Sequence, residues 1–306
     1  MRALTQLAAV ALGLLGSAAV SLGQASSGAT TLSVTPPSLL VLVHQEVQPG
    51  KDRERQKLES SMSLACYQLG APSFWLNLRA LSGYRESVIL RPFDSFEDWE
   101  RSRTAWNEFY AVHPEVSGLR DQIDQQIGNE RTAVAIRRAD LGYLPDNIDL
   151  SQTRFVRMVE VRLFPGRENS FVEAVKTLAE AHTKVQAEIP WVVYQLNAGM
   201  VSPTFVLFMP TPSMAKNDDI LSSEQAIASD LGVEVDEQLK TIARDSYASA
   251  DTTLYEVMPG MSHVTKDFAD SDPGFWRVPD PPDAALEHKR YGRSVKKLPN
   301  QKVPAL

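Results

Sequence analysis

The sequence predicts an α+β protein of two consecutive ferredoxin-like (β-α-β-β-α-β) units, packed sheet to sheet as a pseudo-twofold pair. Three observations lead there. The middle of the chain repeats one order of strand and helix patterns at offsets of 116 to 120 residues. In each repeat, short runs of alternating apolar and polar residues stop at Gly or Pro, and helical spacing follows. The chain has 306 residues, 43% hydrophobic, 23% charged and 8% aromatic, a composition that excludes disorder, collagen and coiled coil.

At the N-terminus, Met1-Arg2 precedes an acid-free, small and apolar run from Leu4 to Leu22, then Gly23 to Gly28. This is the layout of a secretory leader, residues 1–25, with cleavage expected after Ala25; a retained membrane anchor is the alternative. A secretory leader implies a periplasmic or secreted protein, with no membrane span after its removal. Residues 26–37 read as a linker. The first unit, 38–150, opens with a strand through Val43 that stops at Pro49-Gly50, followed by a helix over 52–69. Strands follow at Pro72–Arg79 and Ser87–Pro92, then a helical region closing at 119–127 and a strand at Thr132–Ile136. The second unit, 151–266, repeats the order: a strand through Val159 stopping at Pro165-Gly166, a helix over 168–188, strands at 190–197 and 204–209, a helical region closing at 239–247, and a strand at 252–256. Residues 267–306 form a Pro-rich tail, basic beyond Glu287, with Gly274-Phe275-Trp276 expected to pin it to the body.

Period-2 alternation assigns two faces to each strand. On the first strand Val41, Val43 and Val47 oppose Leu42, His44 and Glu46; in the second unit Val159, Val161 and Leu163 oppose Met158, Glu160 and Arg162. The second strands set Trp75, Asn77 and Arg79 against Leu76 and Leu78, and Gln195 and Asn197 against Tyr194 and Leu196. The polar positions coincide between units. Exposed, such a mixed face would leave an apolar patch; packed face to face, two of them cover each other and bring their polar groups together.

The doubled pattern resembles the dimeric α+β barrel superfamily with two units fused in one chain. Glu160-Val161-Arg162-Leu163-Phe164-Pro165-Gly166 resembles the first strand of NIPSNAP-type proteins. Phe93-Asp94-Ser95-Phe96-Glu97-Asp98-Trp99 resembles the strand-to-helix passage of these proteins and of the antibiotic-biosynthesis monooxygenases. The first unit departs from the pattern, with His44 and Glu46 where Glu and Arg would stand. The resemblance implies small-molecule binding, or cofactor-light oxygenase- or isomerase-like chemistry, between the two sheets. The alternative is a non-catalytic scaffold with a filled barrel. Haem on a single His is used by related barrels, and nothing in this sequence marks such a His.

Ligand-lining candidates follow from the faces. His44 and Glu46 opposite Glu160 and Arg162 form either a ligand-binding, proton-moving cluster or a structural set of ion pairs. Trp75, Asn77, Arg79, Arg91, Gln195 and Asn197 extend the list, and an arginine in a closed space favours an anionic or carbonyl-bearing ligand. No metal is expected, because His113, His182 and His263 show no ligand spacing with His44 and Glu46. Cys66 is the single cysteine, so no internal disulfide forms, and it reads as a buried small hydrophobe. Nucleotide-loop, nucleophile-elbow and zinc-protease motifs are absent. The net charge of −7 argues against nucleic acid as a partner. Halves that satisfy each other should leave the chain monomeric.

Overall fold

The computed structural model describes residues 35–230 and 232–276, without the side chains of 228–230 and 232–234. The expected leader, most of the linker and the tail beyond Trp276 lie outside these residues. The first half contains β1 (Leu39–Val47), α1 (Asp52–Leu69), β2 (Leu76–Ala80), β3 (Glu86–Phe93), α2 (Phe96–Val112), α3 (Pro114–Asp124) and β4 (Ile127–Arg137). Short 3-10 turns between 139 and 152 lead to β5 (Phe155–Leu163), α4 (Glu168–Lys184), β6 (Val192–Ala198), β7 (Thr204–Thr211), α5 (Lys216–Asp230), α6 (Gly232–Ser246) and β8 (Tyr247–Val257). Two short helices, α7 (Lys266–Asp270) and α8 (Pro273–Trp276), finish the described chain.

Local chemistry explains the boundaries. Both Pro-Gly turns place their glycine at positive φ, +81° at Gly50 and +82° at Gly166, where a Cβ would be strained. Gly70 ends α1 in the left-handed region, returning its N–H to the chain's preceding turn. Ser95 caps α2 by accepting from the Asp98 N–H. The helix expected over 168–188 stops at Lys184, because Gln186 takes a positive φ of 54°.

All eight strands form one closed antiparallel barrel in the order β1-β3-β2-β8-β5-β7-β6-β4. Read from β4, the first half runs β4-β1-β3-β2; read from β8, the second runs β8-β5-β7-β6, the same order. The halves join edge to edge, through Leu78 opposite Val257 in one seam and Ile136 opposite Gln195 in the other. Closure leaves no free strand edge. It also creates three separate cores. One fills the barrel with Leu42, Leu78, Val88, Met158, Val206, Phe208 and Tyr255. The other two lie outside it, one between the first half-sheet and α1–α3, the other between the second half-sheet and its helices. Trp276 is buried against the barrel core, and its ring N–H donates to the Ser151 carbonyl.

Candidate functional site

Strand register decides where each expected residue points. Leu42, Leu90 and Leu76 stand opposite one another across β1, β3 and β2, so they share the interior face. Val41 faces Arg91, which puts Arg91 on the outer face with Val41, and Trp75 joins them in the outer core. The inward orientation expected for Trp75, Asn77, Arg79, Arg91, Gln195 and Asn197 is therefore reversed: these six face outward. Alternation sets Asn77 and Arg79 on one face of β2, and Gln195 and Asn197 on one face of β6, without saying which face goes inside.

His44, Glu46, Glu160 and Arg162 do lie on the interior face, at one end of the barrel. His44 is buried, with Nδ1 3.3 Å from a Glu86 carboxylate oxygen, and the Tyr255 hydroxyl donates to the other oxygen. Burial pushes the Glu86 pKa up, but the His44 and Tyr255 hydrogen bonds outweigh it and hold the carboxylate below its ordinary value. Burial raises the Glu160 pKa against the pull of Arg131, 4.0 Å away. Glu46 and Arg162 are exposed at the mouth. His44, Glu86 and Tyr255 are thus hydrogen-bonded to one another at that end of the barrel.

The outward set divides. Arg79 pairs with Glu256 at 2.8 Å on the surface. Gln195 accepts from Arg138 at 3.0 Å, and Asn197 is exposed. Asn77 is fully buried, accepts from the Ser87 hydroxyl at 2.7 Å and leaves its amide nitrogen without a partner. Trp75 and Arg91 meet across a cavity of about 330 Å3 between the first half-sheet and α1–α3.

Three helices build the rest of that cavity. On α2, Trp99, Arg103, Trp106 and Tyr110 recur at helical spacing and face it together. The ring centroids of Trp75 and Trp106 lie 6.2 Å apart, those of Trp106 and Tyr110 5.1 Å apart. Hydrogen bonds hold both indoles, from Trp75 to the Met261 carbonyl at 2.8 Å and from Trp106 to the Ser73 hydroxyl at 2.7 Å. The two carboxylates in the wall are already paired. Glu59 accepts from Arg55 at 3.0 Å, and Glu130 accepts from Gln45 at 2.8 Å and from Arg120 at 3.3 Å. Burial pulls the Arg120 pKa down, but Asp124 and Glu130 more than offset it.

Arg91 is different. Among the described residues its guanidinium makes no hydrogen bond and no ion pair; its contact is the Phe93 ring, 5.8 Å from Cζ. Burial lowers its pKa, with Arg120 and Arg103 adding to the effect. Exposed Arg103 is likewise without an ion pair among the described residues. The cavity lining thus combines two cations that have no ion pair among the described residues with three indoles, a set suited to a planar anion.

Comparison with known proteins finds distant structural likenesses. No protein-family model and no curated protein matches the chain. An anthrone oxidase-like protein is similar in structure at 13% identity and a TM-score of 0.44, covering 74% of this chain and 94% of the other. A chlorite dismutase variant from Candidatus Nitrospira defluvii matches at 8% identity and 0.43, covering 78% and 96%. A protein from Lactobacillus acidophilus assigned as a monooxygenase matches at 7% and 0.44, covering 74% and 95%. No residue role is taken from them.

Among the described residues no histidine is placed to hold haem, and His113 lies 3.3 Å from the Glu115 carboxylate. No histidine lines either 330 Å3 cavity. His44 is held by Glu86, and His182 by the Leu178 carbonyl at 2.8 Å. His263 borders a recess of about 220 Å3, smaller than a porphyrin, with its ring between Phe74 and Trp75.

The residues missed from the sequence are the α2 set and Arg120. Their signal was legible in the 99, 103, 106, 110 spacing, which marks one helix face.

Proposed function

We propose that this chain is an exported small-molecule-binding protein of the α+β barrel type, whose first half takes a planar organic anion into the cavity under α1–α3. Unpaired Arg91, partly buried among Trp75, Trp99 and Trp106, carries this reading. A guanidinium withdrawn from water without a counter-charge is costly, and a bound carboxylate or phenolate removes that cost. The aromatic walls add selectivity for a flat ring. The cofactor-light oxygenase- or isomerase-like form of this reading needs a proton acceptor beside the ligand. Glu59 is the wall carboxyl whose pKa burial pushes up, which suits that role. The repeated strand order supports an internal duplication of ferredoxin-like units, and the leader at 1–25 supports a periplasmic or secreted location.

Titration with 1-naphthoate, read by quenching of the Trp75, Trp99 and Trp106 fluorescence, tests the site. Saturable quenching is expected, weakened at least about tenfold in Arg91→Met with no loss of melting temperature. Equal affinity in wild type and variant rejects the assignment. Mass analysis of the exported form should find a chain starting at Ser26.

A second reading is favoured by one observation. The inter-sheet space expected to hold a ligand contains its own cavity of about 330 Å3, at the end of the barrel opposite His44.

A further inference from the structure

We propose that the cavity between the sheets takes an amphipathic monocarboxylate, with its apolar body in the barrel and its carboxylate on Arg137 and Tyr194. The proposal rests on the second reading above and gives that site its ligand class. None of the ten residues expected to line a ligand from the sequence borders this cavity. Its walls are aliphatic and aromatic, with Leu40, Leu76, Leu78, Val156, Val192 and Phe208 around the lumen. Buried Thr153 in the same wall already donates to the Asp149 carbonyl at 3.1 Å, so the lumen favours a hydrocarbon body.

The mouth is the exception. Arg137 and Tyr194 are register partners across the β4–β6 seam, both on the interior face. Arg137 forms no ion pair with any described carboxylate. Asp94 borders the same cavity, but its side chain is exposed at the rim and is not paired with this guanidinium. Instead both groups donate to one short strap of the chain: Arg137 to the Pro36 carbonyl at 3.1 Å, the Tyr194 hydroxyl to the Pro37 carbonyl at 2.8 Å. Two neighbouring donors at the mouth thus spend their hydrogen bonds on neutral carbonyl oxygens. A carboxylate accepts from the same two donors and adds a charge to the guanidinium contact. Exchange of strap for ligand costs the mouth no hydrogen bond. The strap is the end of the segment read as a linker, and its two prolines donate no N–H of their own to the sheet.

Decanoate and decanol, each competing with a bound naphthylamine probe, separate the parts of the proposal. Wild type is expected to bind decanoate more tightly than decanol by about 10- to 100-fold. Arg137→Met should remove that preference and leave decanol unchanged. Leu78→Trp, which fills the lumen, should abolish both; Val192→Phe is the milder filling should the first variant lose its fold. Equal affinity for the two ligands, or an unchanged preference in Arg137→Met, overturns the headgroup assignment while leaving the lumen reading in place. Absence of binding by either ligand, or binding unaffected by both fillings, overturns the lumen reading itself. Naphthoate binding at Arg91 is independent of every one of these outcomes.

Discussion

His263 shows how a single residue acquires a pH dependence from its surroundings. It is 4% exposed, stacked against Phe74 at 5.0 Å, and its Nε2 has no partner. Burial lowers its pKa to about 4 from an ordinary 6.5. Between these values the unfolded chain binds a proton that the folded chain refuses, so stability falls as pH drops from 6.5 towards 4. The loss attributable to this residue approaches about 3 kcal/mol. His263→Phe keeps the ring stack and should lose less stability than wild type between pH 7 and pH 4.5 in urea melts; equal losses would place the titration elsewhere. Cys66 follows the same logic with a different result. Burial pushes its thiol up to about 12, so it is an inert filler of the α1 core, as its apolar flanks imply.

At the scale of elements, α1 is held by charge as well as by apolar contact. Arg55, Glu59, Met62 and Cys66 form its buried face. Arg55 donates to Gln45 on β1 at 2.7 Å and to Glu59 at 3.0 Å. Arg55→Met leaves the Glu59 carboxylate buried and alone, and should cost about 3–5 kcal/mol in chemical denaturation. The β4–β6 seam has a different weak point. Gly199 sits at φ +87°, and a Cβ there would fall 2.0 Å from the Thr132 carbonyl oxygen. Gly199→Ala should destabilise the protein by at least about 2 kcal/mol, and hydrogen exchange should show the loss concentrated in β4 and β6.

For the whole molecule, closure is the organising fact. A half alone would expose the outer edges of β2 and β4 and one wall of the barrel core. The chain closes the ring by itself and needs no second copy. Light scattering should therefore report the mass of one chain, and twice that mass would mean that strands exchange between copies. Residues 35–138 expressed alone should pair or aggregate through those edges.

The succession of strands and helices along the chain was legible in the sequence, because hydrophobic period and Pro-Gly turns are local properties. The Val41 to Leu42 alternation and the two matched glycine turns each need only near neighbours. The shared face of His44 and Glu46, and that of Glu160 and Arg162, was legible for the same reason, since alternation needs only near neighbours. Which face of β2 and β6 enters the barrel was decided by register across strands far apart in sequence. That choice moved Trp75 and Arg91 out of the barrel and under α2, and it brought Arg137 and Tyr194 to the mouth. Both candidate sites depend on long-range pairing, because a cavity belongs to the surfaces that surround it and not to any one segment.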